Sequence, residues 1–112
     1  MFVNNGIKGN MTLILLSSLM DGEKYGYEIT KEIARLTNDE ILLKEGSLYP
    51  ALHKLEKEGL TESFWQQQEP GKPGRKYYRI TDNGRKTVEE ERKKWSSFIG
   101  TMGRIIYGEQ NS

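Results

Sequence analysis

Hydrophobic and polar positions along the chain follow first a helical period and then a strand period. Between Lys8 and Met20 the apolar residues crowd together, with Leu13, Leu16 and Met20 on one helical face and Leu15 and Leu19 beside them. The run predicts a largely buried helix that ends at the turn signal Asp21-Gly22. From about Tyr25 to Leu36, Ile29, Ile33 and Leu36 recur at i, i+4, i+7, and Thr37-Asn38-Asp39 closes this second helix. A third helix is predicted from Gly46-Ser47 to Glu58, with Gly59 as its C-terminal stop. Pro50 fits if Gly46 or Ser47 is the N-cap, because N–H groups of a first helical turn have no intrahelical partner to lose. The period then changes. Leu60–Gln68 and Arg75–Thr81 alternate apolar with polar residues, with Phe64 and Trp65 in the first run and Tyr78 and Ile80 in the second. Pro70-Gly71-Lys72-Pro73-Gly74 joins these two strands as a hairpin loop. Thr81 caps a last helix that passes through Val88 to about Tyr107. The order is helix, helix, helix, hairpin, helix, a mainly α (α+β) class.

Composition narrows the chemistry. The 112 residues contain no cysteine, which excludes a disulfide framework, a thiol nucleophile and Cys-ligated zinc. The single histidine, His53, cannot make a His-based metal site or both halves of a catalytic pair. Gly71-Lys72 lacks the spaced glycine and following Ser/Thr of a phosphate loop, so the reading is not an enzyme and calls for no cofactor. The apolar run Met11–Met20 is too short to cross a bilayer, and it has neither the basic flank nor the cleavage site of a signal peptide. Asn10-Met11-Thr12 matches a glycosylation sequon, but nothing else in the chain points to secretion. A reducing cytoplasm is the expected compartment.

Charge is distributed unevenly. Residues 1–42 carry four basic and six acidic side chains, whereas residues 70–86 carry six basic ones against Asp82 alone. The basic run sits on the glycine- and proline-rich hairpin, where cations can neutralise phosphates. On a helical projection of the third helix, Leu48, Leu52 and Leu55 fall within about 40° of one direction. Pro50, His53, Lys54 and Lys57 fall opposite, with Tyr49 at the edge. A helix after a helix, followed by a hairpin with a basic tip, is the order of a winged helix-turn-helix, in which the second helix of the pair enters the major groove. Glu56 and Glu58 weaken the electrostatic case for the helix taken alone.

The second helix holds Gly26-Tyr27-Glu28-Ile29, and the third the string Glu45-Gly46-Ser47-Leu48-Tyr49-Pro50-Ala51-Leu52-His53-Lys54-Leu55-Glu56 with Gly59-Leu60 after it. Gly74-Arg75-Lys76-Tyr77-Tyr78-Arg79-Ile80-Thr81 and Gly84 follow. Through these strings residues 22–84 closely resemble the PadR family of bacterial transcriptional regulators. The family implies a homodimeric winged-helix repressor on a roughly palindromic operator. By resemblance, Ser47, Tyr49, Pro50, His53 and Lys54 take the base-contacting positions, Lys72, Arg75 and Lys76 the wing, and Tyr27 a phosphate contact. Tyr77, Tyr78 and Ile80 are assigned to wing packing. The division is residues 1–81 as the DNA-binding winged helix-turn-helix and residues 82–112 as a dimerisation helix. Since one helix follows the wing, the chain is similar to the short subfamily, which lacks a longer helical C-terminal domain.

The last helix supports pairing on its own pattern. Val88, Trp95 and Met102 are seven apart, Phe98 and Ile105 fall between, and Ile99 and Ile106 widen the stripe. A helix from Asp82 to Ile106 is about 37 Å long, longer than a small domain is wide. Its far half therefore overhangs and needs a partner, unless it folds back on Leu13 and Leu16. Gly100 and Gly103 weaken its helicity but allow close backbone approach. Multidrug-responsive relatives hold flat aromatic compounds between tryptophans of this helix. By that analogy Trp95, Phe98, Ile99 and Met102, with Leu13 and Ser17 of the first helix, form an effector site or a filled dimer interface. The competing function is a winged-helix protein-interaction module that does not read DNA, since fold does not fix function.

Overall fold

The computed structural model describes residues 7–108. Its elements run α1 (Met11–Ser18), β1 (Lys24–Tyr25), α2 (Gly26–Leu36), α3 (Glu45–Lys57), β2 (Thr61–Gln66), β3 (Arg75–Ile80) and α4 (Asp82–Tyr107). The three strands form one antiparallel sheet in the order β1-β3-β2. This is the helix-helix-helix-hairpin-helix order predicted, with a short strand added ahead of α2.

Most strand and helix ends differ from the sequence reading by a residue or two, and three of the differences have a local reason. The first helix does not run unbroken from Lys8 to Met20. A turn at Gly9-Asn10 interrupts it, and α1 ends at Ser18, where Leu19 and Met20 continue as turn. Glycine's high cost in a helix fits a break there. Tyr25 is not helical. It pairs with Tyr77, as Lys24 does with Tyr78, and its N–H donates to Glu28 Oε1 at 3.1 Å, so that Glu28 closes the start of α2. The third helix begins at Glu45 rather than at Ser47, with Lys44 at the N-cap. Pro50 is therefore the sixth helical residue, beyond the first turn, and leaves the Gly46 carbonyl without its usual donor.

The core is assembled from one face of each element. Leu15, Leu16 and Leu19 from the first segment meet Ile29 and Ile33 of α2, Leu48, Leu52 and Leu55 of α3, Tyr78 and Ile80 of β3 and Val88 of α4. Leu13 and Met20 are only partly buried, so the deepest face of α1 is the one beside that predicted. Lys24 ties α1 to α2: its ammonium donates to the Ser18 carbonyl and to Asp21 Oδ1, both at 2.5 Å, and lies 3.7 Å from Glu32. That hydrogen bond holds the Asp21 carboxyl below the usual carboxylate range.

The α2–α3 turn and the α4 start are fixed by backbone chemistry. Asn38 and Asp39 both adopt positive φ, and the Asp39 N–H returns to the Ala34 carbonyl at 2.7 Å. Thr81 caps α4 as predicted: its hydroxyl accepts from the Gly84 N–H at 3.1 Å and donates to the Gly59 carbonyl at 2.7 Å. Gly84 lies under the Leu60 carbonyl oxygen, and a Cβ there would collide with it. Beyond Val88 the helix leaves the core. The described chain extends 62 × 30 × 23 Å, and its radius of gyration is 16.5 Å, against about 13 Å for a compact chain of this length. No helix among the described residues is long and apolar enough to cross a membrane.

Candidate nucleic-acid interface

The outer face of α3 and the α3-facing side of the wing form the two walls of one cleft. Burial of Leu48, Leu52 and Leu55 rotates Tyr49, Pro50, His53, Lys54 and Lys57 outward, as the helical projection requires. Across the hairpin the register places Trp65 opposite Lys76 and Ser63 opposite Tyr78, so these four share a face. Tyr78 is buried against the core, which turns that whole face toward α3. The resulting cleft has a volume of about 460 Å³, with Tyr49 and His53 on the helix wall and Trp65, Arg75 and Lys76 on the wing wall. Gly26 forms part of its floor: a Cβ there would stand 2.5 Å from the Tyr49 hydroxyl, so the glycine leaves room for the phenol.

Each basic group of the wing is held differently. The Arg75 guanidinium stacks on the Tyr25 ring, 4.6 Å from its centroid. Lys76 lies over the Tyr78 ring and 3.9 Å from Glu56 of α3, whose other carboxylate oxygen accepts from the Ser63 hydroxyl at 2.6 Å. Lys72 stands at the exposed loop tip, 3.1 Å from Glu69. The loop there is shaped by Gly71 at φ +81° and by Gln67, whose side-chain amide donates to the Glu69 and Lys72 carbonyls. Burial, and secondarily the Glu56 carboxylate, push the Tyr78 phenol above its ordinary pKa.

The residues singled out from the sequence do not form one cluster. Tyr49, His53, Arg75 and Lys76 meet in the cleft. Ser47 and Pro50 instead line a separate groove with Met11 and residues 41–44. Lys54 is exposed on α3 outside both, and Tyr27 is exposed at the start of α2, under the Lys31 ammonium and stacked on Tyr25. The assigned packing residues behave as expected: Tyr78 and Ile80 are buried, and Tyr77 stacks on Phe64. Sequence reading missed Tyr25, Trp65 and Glu56. The strand alternation places Trp65 in the first wing strand, but its partner and its face follow only from the pairing of β2 with β3.

The stripe of α4 begins beside α1. The Trp95 indole N–H donates to Asn10 Oδ1 at 3.1 Å, and its ring meets Phe98 edge-on at 5.8 Å between centroids. Leu13, Ser17, Ile33, Leu36 and Trp95 line an apolar cavity of about 350 Å³. Asn10, Lys94, Trp95 and Phe98 border another of about 290 Å³. Farther along, Met102 is half-buried, whereas Phe98, Ile99, Ile105 and Ile106 are each more than half exposed. Among the described residues, the fold-back of this stripe on α1 extends to Trp95.

Comparison with known proteins gives one consistent answer. The transcriptional regulator PadR-like family matches residues 15–90. A transcriptional regulator of Mycobacterium tuberculosis is 35% identical over 99 residues, covering 88% of this chain and 84% of its own length. Among solved structures, a transcriptional regulator from Clostridium thermocellum superposes with a TM-score of 0.83 at 33% identity, over 92% of this chain and 99% of that one. A PadR-like transcriptional regulator from Bacillus cereus gives 0.80 at 32% identity, over 95% of this chain and all of its own.

Proposed function

The chain belongs to the PadR-like family of transcriptional regulators, and on that premise we propose that it is a homodimeric repressor of a roughly palindromic operator. In this reading α3 enters the major groove and the wing lies against the adjoining backbone. Tyr49, His53 and Lys54 read base edges at the exposed face of α3, while Ser47 and Pro50 meet the groove at its N-terminal end. Arg75, Lys76 and Lys72 neutralise phosphates, joined by Tyr27 from α2. The observation that carries the reading is the convergence of Tyr49 and His53 with Arg75 and Lys76 on one open surface. A protein-interaction module has no need of that combination. Regulators of this family are not enzymes.

Dimerisation is assigned to the α4 stripe, since Phe98, Ile99, Ile105 and Ile106 are exposed on a helix that outreaches its own core. The cavities beside Trp95 support a finer assignment: a planar hydrophobic compound binds against the Trp95 ring, with Leu13 and Ser17 on its other side. Such a compound releases the operator by favouring an α4 crossing angle that misplaces the paired recognition helices. A footprint on the DNA upstream of the protein's own coding region tests the reading. Two protected half-sites about 34 Å apart are expected. Uniform, salt-sensitive coverage without protected half-sites would refute sequence-specific binding.

A further inference from the structure

Trp65 is 71% exposed, although it lies in a β-strand whose neighbours pack the hydrophobic core. It stands near the end of β2, an edge of the sheet, in register with Lys76 and on the face turned toward α3. It therefore overhangs the mouth of the cleft, opposite Tyr49 and His53. None of the cleft's lining residues is acidic, and two of them, Arg75 and Lys76, are cations held by contacts to aromatic rings. An exposed apolar ring in register with one cation, on a cleft lined by a second, matches a ligand in which negative charge alternates with apolar surface along its length. A nucleic-acid strand has that chemistry, because each phosphate is followed by the apolar face of a sugar. A simple anion would use the cations and leave the indole in water, and a purely apolar ligand would leave the cations unpaired.

We propose that Trp65 is a DNA-contacting residue that packs on the deoxyribose face of the strand running between the recognition helix and the wing. The assignment rests on the regulator reading above. It adds a contribution to affinity that carries no charge, distinct from the phosphate contacts beside it.

The test uses the full-length protein and a mixed-sequence duplex of about 30 base pairs, long enough for two half-sites. Trp65→Ala is expected to weaken binding about tenfold, the scale of aromatic contacts to single nucleotides. The dependence of log affinity on log salt stays as in the native protein, since no cation is lost. Trp65→Phe is expected to restore most of the affinity. Tryptophan emission of the native protein changes on adding duplex, and that change is largely lost in Trp65→Phe. Because Trp65 is exposed, thermal melts of both variants should match the native one. If the native protein binds the duplex but Trp65→Ala binds equally well, the Trp65 assignment fails and the regulator reading stands. If the native protein does not bind duplex at all, the regulator reading itself fails. A native emission change with poly-glutamate but none with duplex would assign the cleft to an acidic protein partner and overturn the proposal.

Discussion

At the scale of single residues, three side chains separate affinity, specificity and stability. Arg75 is exposed with its guanidinium over the Tyr25 ring, so its removal deletes one cation from the wing without disturbing the core. Arg75→Ala is expected to weaken binding to every duplex alike and to lower the salt slope by about one unit. His53 faces outward from α3 and has no place in the core. His53→Ala should change the preferred base at one position of each half-site, worth about 1–3 kcal/mol there, with the salt slope unchanged. Binding titrations at several salt concentrations on two operator variants distinguish the two, and identical behaviour of both variants would erase the division between helix and wing. Thr61 is a third kind of case. It is 2% exposed in a core-facing strand position, and its hydroxyl has no hydrogen-bond partner among the described residues. Thr61→Val removes that unsatisfied group at nearly equal volume and should raise stability by about 1 kcal/mol, read from chemical denaturation.

At the scale of elements, the question is what fixes the wing against the recognition helix. Glu56 does so from α3, accepting from Ser63 of β2 and facing Lys76 of β3. Among the described residues it is also the acidic group in contact with a cleft cation, so it opposes the field that attracts DNA. Glu56→Gln should cost up to about 1 kcal/mol of stability, discounted because both partners are partly exposed. It should also bind non-specific duplex a few-fold more tightly, because Lys76 is freed and a repelling charge is gone. Thermal melting and a low-salt titration read the two effects. A variant that melts lower and binds more weakly would mean that Glu56 positions Lys76 for its phosphate. This contact was not legible in the sequence, because Glu56 and Lys76 are twenty positions apart and meet only once the hairpin is in register. What was legible is what depends on local periodicity and punctuation. The leucines of α3, the Thr81 cap and the Thr37-Asn38-Asp39 stop all act within one or two turns of chain. β1 is not legible because a two-residue strand has no period, and Tyr25 continues the pattern of the helix that follows it. The start of α3 is not legible, because a proline marks a first helical turn by its chemistry, whereas this helix accommodates Pro50 in its second turn.

At the scale of the whole molecule, the proposed pairing through the overhanging α4 would make the small winged domain half of a symmetric reader. One recognition helix offers few base contacts, and two joined rigidly gain the effective concentration of a tethered second site. Ile105 is 72% exposed, far along α4 from the buried Val88, so a charge there leaves the core intact. Ile105→Glu is therefore expected to keep the native far-ultraviolet spectrum and winged-helix fold while converting the dimer to a monomer at micromolar concentration by sedimentation. Operator affinity should fall about 10²–10⁴-fold, the range that a linked second site contributes, while binding of an isolated half-site stays near native. Trp95→Ala acts differently, because the indole also donates to Asn10 and so holds α4 against the segment preceding α1. It should loosen the dimer less and alter the spacing of the two half-sites more. If Ile105→Glu remains dimeric with undiminished operator affinity, the pairing surface lies elsewhere than the α4 stripe. The exposed isoleucines would then lose their explanation along with the geometry that brings two α3 helices to one duplex.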